Sequence, residues 1–363
     1  MRVAVIYDRL NKIGGAEQVL VALHQLYPQA DWYTSVWEPS RAIFSRDWPV
    51  HPSWLNRLPW FRTHHEWIPF LMPFVFESFD LRAYDVVISV GSAEAKGVMT
   101  GPSTLHLHYC LTPTRYLYSH KDEYLSNPIY RFIARYLRKW DLVAATRPDE
   151  MIAISTQVKK RIKNIYNRDA DIIFPPVNTK RFSASSLASN SSLQASKYFL
   201  VVSRLVPYKK IDVLIRAANQ AKKNLVIIGE GSEIRYLRGL AGQTVKILGK
   251  VSDADLPKYY QNCLAYLQAN EEDFGISMCE AQAAGRPVIA YGQGGACDIV
   301  IPGKTGILLE ENTVNAFATA LKQFDTMAFV SSVCSDNAKR FDEHLWAVQL
   351  KERIDKLCQT NQK

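Results

Sequence analysis

The chain has 363 residues, of which 47% are hydrophobic and 22% charged, and its formal net charge is +9 at pH 7. That is the composition of a globular protein long enough for two domains with large cores. Six cysteines (Cys110, Cys263, Cys279, Cys297, Cys334 and Cys358) are scattered without a CxxC pair, which excludes a disulfide framework and reads as free thiols in a reducing compartment. The positive charge suits nucleic acid, an anionic membrane surface, a phosphate-bearing small molecule, or simply a solvated basic surface. No basic run or nucleic-acid motif supports the first, so no nucleic-acid partner is expected.

The amino-terminal MRVAVIYDRL reads as a strand and not as a signal peptide, because its apolar run is short and no cleavage site follows. GGAEQVLVALHQLY follows it, with Val19, Leu20, Leu23 and Leu26 at helical spacing. Gly14-Gly15 lies at this strand-to-helix turn. Glycine there serves either a turn needing positive φ or a close backbone approach to an anion at the helix start. WLNRLPWFRTHHEWIPFLMPFVFESF (54–79) mixes Trp, Phe and Leu with Arg and His. It suits either core packing under a long loop or contact with a membrane interface. Its apolar run WIPFLMPFVF is too short to span a bilayer and carries two prolines.

WYTSVW, DVVISV, LHLHYC and MIAIS are further strands, and LHLHYC alternates so that His106, His108 and Cys110 share a face. Strands alternating with helices predict a parallel sheet covered on both faces. Pro175-Pro176 in NRDADIIFPPVNTKRF and the Ser-rich SASSLASNSSLQAS (183–196) mark a linker. The alternation then restarts with YFLVVS, DVLIRAANQA, NLVIIG, IRYLRGL, VKILG, LPKYYQN, CLAYLQ, PVIAY and TGILL. The expected fold is α/β: two doubly wound, Rossmann-like domains at about 1–175 and 176–337, their strand ends facing a cleft where ligands bind. DEHLWAVQLKERIDKL is an amphipathic helix, and residues from about 338 to 363 are expected to pack back on the first domain.

Three stretches of the second domain carry chemistry. In SRLVPYKK, Arg204 and Lys209 follow a strand, where two cations can neutralise a diphosphate leaving group; a solvated loop with ordinary charges is the plainer reading. LGKVSDADL is a strand, a loop containing Val251, and a helix capped by Ser252 or Asp253. EEDFGISMCE (271–280) places Glu272 and Glu280 eight positions apart. On one helix that spacing is about 800° of rotation, which does not align the side chains. A loop for the first Glu and a helix for the second, from Ile276 to Ala284, aims both into one pocket. The amides of Phe274, Gly275, Ile276 and Ser277 are then free for sugar hydroxyls or phosphate oxygens. Glu280 suits the vicinal hydroxyls of a ribose and Glu272 the sugar. The alternative for the early acid is a helix-dipole role.

Taken together, Glu272-x7-Glu280 with Phe274-Gly275, SRLVPYKK, GGAE, RPVIAYGQGG and DIIFPPVNTKRF occur in an order that resembles the GT-B glycosyltransferases of family 4, retaining enzymes that use nucleotide-sugar donors. DVVISVGSAEAKGV, HYCLTPTRYLY and KWDLVAATRPDEMIAIS resemble a bacterial branch that builds surface polysaccharide, mostly described as mannosyltransferases acting on lipid-linked oligosaccharide. The resemblance implies that Arg204 and Lys209 contact the donor diphosphate, that Glu280 holds the ribose, and that Glu272 contacts the transferred sugar with the backbone of Phe274 to Ser277. It also implies that Gly15 lets the first loop close on the phosphates and that Val251 lies near the base. No metal or other cofactor is required on this pattern. The implied donor is GDP-mannose, with UDP-sugars open, and the implied acceptor is a lipid-linked or growing glycan. The implied place is the cytoplasm, with peripheral contact at the inner face of the membrane. A nucleotide-sugar epimerase and a non-catalytic transferase-like subunit are the rival functions.

Two positions depart from the pattern. Leu111 stands where the family often has His, so His108 is the substitute expected near the sugar. Polar packing on a strand face is the competing reading, and zinc binding by His-x-His-x-Cys lacks a fourth ligand. Lys210 stands where the family usually has Gly.

Overall fold

The computed structural model describes residues 1–12, 14–64, 67–118, 128–183 and 197–361. All but the first residue of the Ser-rich stretch lies outside them. The chain forms two compact units, Met1–Phe174 with Trp346–Lys363, and Pro175–Leu345.

The first unit is built on a seven-stranded parallel sheet: β1 (Val3–Tyr7), β2 (Asp31–Thr34), β3 (Val50–Pro52), β4 (Val86–Gly91), β5 (Leu105–Cys110), β6 (Glu150–Ala153) and β7 (Asp171–Ile172), in the order β3-β2-β1-β4-β5-β6-β7. Every residue of β1, β4 and β5 is buried, as expected for central parallel strands covered on both faces. Strands β3 and β7, of three and two residues, were too short to show any period. The helix Ala16–Leu26 buries Val19, Leu20 and Leu23 against the sheet, the stripe its spacing predicts. On the other side of the strands Ile6, Val75, Phe76 and Val87 share one core.

A fully buried ion pair pins the helix Pro128–Ala144 in this unit. Lys96 Nζ bonds Asp141 Oδ1 at 2.5 Å, and Thr114, Tyr118 and Tyr166 each donate a hydroxyl to the Asp141 carboxylate. The chain returns at its end as the helix Glu343–Asn361, which passes from the second unit to the first between Leu345 and Trp346. Trp346 Nε1 donates to the Tyr109 hydroxyl, and Arg353 pairs with Glu150 and Asp171 at 2.8 Å. Residues Ser331–Ala338 form a separate helix of the second unit.

The second unit has a six-stranded parallel sheet: β8 (Phe199–Val202), β9 (Leu225–Ile228), β10 (Val245–Gly249), β11 (Tyr266–Gln268), β12 (Val288–Tyr291) and β13 (Gly306–Leu309), ordered β10-β9-β8-β11-β12-β13. Leu214, Ile215 and Ala218 of the helix Ile211–Ala221 share a core with Phe317 and Leu321. In each sheet the strand order reverses once, between β1 and β4 and between β8 and β11. Such reversals open a crevice at the carboxyl ends of the strands.

His106 and His108 do share a face of β5, and that face is interior. Ser89 Oγ lies 2.8 Å from His106 Nε2 and 2.9 Å from His108 Nδ1, while Nδ1 of His106 has no partner among the described residues. Burial depresses both imidazoles, His106 to about 3. From pH 6.5 downward the unfolded chain therefore binds protons that the folded chain refuses, and stability falls as pH falls through that range. A His106→Gln variant, compared with the parent by urea unfolding at pH 6.5 and 5, should lose about 2 kcal/mol less over that interval, since one proton costs about 1.4 kcal/mol per pH unit. Equal losses would show that His106 is not held neutral.

Candidate functional site

The second unit gathers its charged residues where its strand order reverses. Strand β8 ends at Val202 and runs through Ser203-Arg204 into the short turn Pro207–Lys209. Neighbouring β11 ends at Gln268 and runs into the loop that carries Glu272. Across this gap Lys209 Nζ forms a close ion pair with Glu272 Oε1, the two side chains 12% and 17% exposed. Partial withdrawal from water strengthens the pair, yet both ends stay within reach of solvent. Gln268 Nε2 approaches the same Glu272 oxygen at 3.4 Å and also bonds Asn270. The Tyr266 hydroxyl lies 3.1 Å from both Gln268 Oε1 and the Val202 carbonyl, which ties the base of one loop to the base of the other.

Arg204 is exposed and does not join the ion pair among the described contacts. Its guanidinium donates to the Tyr208 hydroxyl at 2.5 Å. The Tyr208 ring lies 6.0 Å from that guanidinium and 5.2 Å from Lys209 Nζ, so both cations flank one aromatic face. Lys210 adopts φ 54° and ψ 35°, in the left-handed region. A side chain there costs about 1–2 kcal/mol, which explains why glycine suits this position.

The loop-then-helix reading of EEDFGISMCE holds. Gly275, at φ 107°, precedes the helix Ile276–Ala283, and its position has no side-chain cap. The first amides of that helix, those of Ile276 and Ser277, have no acceptor within it. Glu280 sits in the second turn, nearly buried, and accepts a 2.7 Å bond from the Tyr260 hydroxyl. Burial and the Glu280 charge push the Tyr260 hydroxyl well up, so it stays a donor. The Ser277 hydroxyl faces both Tyr260 and Tyr266. A polar chain thus runs from Glu272 through Gln268, Tyr266, Ser277 and Tyr260 to Glu280. The Phe274 side chain packs on Phe341 with ring centres 5.5 Å apart, leaving only its backbone for a ligand. Gly294 and Gly295 lie against Glu272 and Phe274 so closely that a Cβ on either would strike their backbone. The Gly295 amide donates to the Glu272 carbonyl at 2.8 Å.

Other expected residues fall elsewhere. Val251 is half-buried in the loop after β10, and no described contact joins it to the ion pair. Ser252 closes a turn onto Asp255 at 3.1 Å instead of capping the helix, which starts later at Leu256. Gly15 and His108 belong to the first unit. Gly15 has φ −69°, so its turn does not demand positive φ, and nearby Glu17 is buried with Tyr7 donating to it at 3.2 Å. His108 is a correction: at 2% exposure, and engaged with Ser89, it cannot offer its imidazole to a sugar without local opening. Leu111 lies in the bend after β5 with its amide on the Gly91 carbonyl. Gln268, Tyr266 and Tyr260 were missed from sequence. The alternation in CLAYLQ, which puts Tyr266 and Gln268 on one face of a strand, was the available signal for two of them.

Residues 185–341 match the family model for glycosyl transferases group 1. An uncharacterized glycosyltransferase of Methanocaldococcus jannaschii is 26% identical over 58% of this chain and 58% of its own length. The GDP-mannose-dependent alpha-(1-6)-phosphatidylinositol monomannoside mannosyltransferase of Mycobacterium tuberculosis is 28% identical over 48% of this chain and 52% of its own. The chain thus spans little more than half the length of these relatives. The crystal structure of Anabaena HepE in complex with UDP superposes with a TM-score of 0.72 over 98% of this chain and 100% of that one, at 19% identity. The fold is therefore GT-B, and the second unit carries a domain of the glycosyl transferases group 1 family.

Proposed function

We propose that the protein is a retaining glycosyltransferase of family 4 that moves a hexose from a nucleoside diphosphate sugar to a lipid-linked or growing surface glycan on the cytoplasmic side of the cell envelope. The observation that carries this reading is the Lys209–Glu272 ion pair at the reversal between β8 and β11, followed at once by the unpaired helix start at Ile276-Ser277. Without a donor, the lysine and the glutamate neutralise each other. A diphosphate gives Lys209 a second anion and frees Glu272 to accept from hydroxyls of the sugar. Arg204, exposed beside Tyr208, adds the second cation, and the helix amides add neutral donors. Glu280, fixed by Tyr260, takes the ribose hydroxyls.

In the reaction the bond from the sugar's anomeric carbon to the diphosphate oxygen breaks, and a bond to the acceptor oxygen forms on the same face. The acceptor's proton passes to the departing diphosphate. Lys209 and Arg204 stabilise the charge that grows on that leaving group, so the reading calls on no metal. GDP-mannose is the favoured donor because a relative named for it matches at 28% identity. A UDP-sugar is the second reading, favoured by the likeness to HepE, which binds UDP.

The test is donor hydrolysis without acceptor. GDP should be released from GDP-mannose in preference to UDP from UDP-sugars; the reverse preference moves the donor, and epimer formation makes the protein an epimerase. Donor binding without turnover, even with acceptors added, assigns a non-catalytic subunit. Lys209→Ala and Glu272→Ala should each lower kcat/KM by roughly 10²–10³-fold, the usual loss for one preorganised charge-stabilising group. Gln268→Leu should lower it by about tenfold through misplacement of Glu272; an unchanged value would show that Gln268 only packs.

A further inference from the structure

The first unit exposes more aromatic surface than its core requires. Trp67 is 64% exposed, Phe74 58% and Trp60 51%. Trp60 stacks on His64 with centres 4.6 Å apart and meets Trp67 edge-on at 6.0 Å, so these rings form a cluster on the surface and not a row of isolated side chains. The helix Pro128–Ala144 adds a second set. Its buried face is Ala134, Leu137 and Asp141, and the opposite face presents Arg131, Phe132, Arg135 and Tyr136. Phe132 is 75% exposed on that face, where helical spacing would place a charged or small polar residue. The helix packs on Pro69–Leu71, and Trp140 Nε1 donates to Glu77 at 2.7 Å, so both sets belong to one side of this unit.

We infer that this side is a docking surface for an anionic phospholipid bilayer. Monomeric proteins rarely leave large rings clustered in water. Rings interleaved with arginines match the two layers of a bilayer edge: rings enter the headgroup boundary while guanidinium groups bond lipid phosphates. The net charge of +9 adds a long-range attraction toward an anionic surface. No helix among the described residues is long and apolar enough to cross a membrane, so the contact is one of lying on the surface. The surface composition carries the inference by itself; only its purpose, holding the enzyme beside a lipid-linked acceptor, rests on the function proposed above.

The test is flotation of the full chain with phosphatidylglycerol–phosphatidylcholine vesicles and with pure phosphatidylcholine vesicles, at low and high salt. Wild type should float with the anionic vesicles and much less with the neutral ones. Arg131→Gln with Arg135→Gln should weaken anionic binding about thirtyfold, at roughly 1 kcal/mol for each basic residue at the surface. Trp67→Ser with Phe132→Ser should reduce binding to both vesicle types by at least tenfold, and Tyr236→Ser, an exposed ring of the second unit, should change nothing. Circular dichroism of each variant should match wild type, and a variant that fails this is replaced by the single substitution at Phe132. Absence of wild-type binding to anionic vesicles overturns the inference, as does equal binding by the variants. Self-association lost on Trp67→Ser with Phe132→Ser, without vesicle binding, makes the face a protein interface. Vesicle binding without donor hydrolysis would sink the catalytic reading and leave this one standing.

Discussion

In a parallel sheet every strand delivers its carboxyl end to the same edge, and only where the order of strands reverses do two neighbouring loops turn apart. Both units live under that constraint, and each spans its reversal with a carboxylate. In the first, Asp8 after β1 accepts amides of Ser92 and Ala95 after β4, each at 2.9 Å. Gly91 has no side chain there, since a Cβ would come within 2.6 Å of Asp8. That reversal is closed by backbone bonds. In the second unit the corresponding link is Lys209 to Glu272, two flexible, oppositely charged side chains. A charged ligand can separate such a pair by offering each end a better partner, whereas it cannot displace a carboxylate from two amides without unfolding the turn. The chemistry of a diphosphate therefore belongs to the second unit's reversal on physical grounds, apart from any likeness to other proteins.

The contrast with Lys96–Asp141 sharpens the point. That pair is 2% and 1% exposed, and three hydroxyls complete the coordination of its carboxylate. Burying two charges is costly unless every remaining lone pair is satisfied, and here the surrounding groups satisfy them. The result is a fixed strut between the turn after β4 and the helix Pro128–Ala144. The Lys209–Glu272 pair is less buried, and its polar neighbours come from one side, through Gln268. Two ion pairs of the same formal kind thus divide into a structural one and an exchangeable one by what surrounds them.

The fold was legible because parallel strands covered on both faces are written as unbroken apolar runs: VAVIY, VVISVG and LHLHYC all became central strands. The short β3 and β7 were not legible, because two or three residues carry no period. The placing of Glu272 on a loop and Glu280 on a helix followed from helical geometry alone, since eight residues cannot return to one face of a helix. Tyr260 and Gln268 stayed hidden because their importance depends on which strand or helix lies next to Glu280 or Glu272, a tertiary fact. His108 was misplaced for a related reason. Alternation on β5 correctly put it beside His106 on one face, but alternation does not say whether that face meets ligand or core. Its neighbour Ser89, from the adjacent strand, settles that it meets core. The glycine preference at position 210 likewise became physical only once the left-handed backbone of Lys210 was seen.

The burial of His108 also bears on where the acceptor's proton goes. A general base must reach the proton it takes, within hydrogen-bond distance or through one water. An imidazole held between strands, depressed by burial and bonded to Ser89, meets neither requirement. Leu111, which stands where related sequences carry a histidine, has no group that titrates. The base available without a further protein residue is an oxygen of the departing diphosphate, which lies on the face where the acceptor must arrive if configuration is retained. Lys209 and Arg204 then have a double task. They must stabilise the leaving charge enough for the bond to break, yet leave one phosphate oxygen basic enough to take a proton. An ion pair shared with Glu272 suits that balance, because the glutamate draws off part of the lysine's charge and keeps the diphosphate from being over-neutralised.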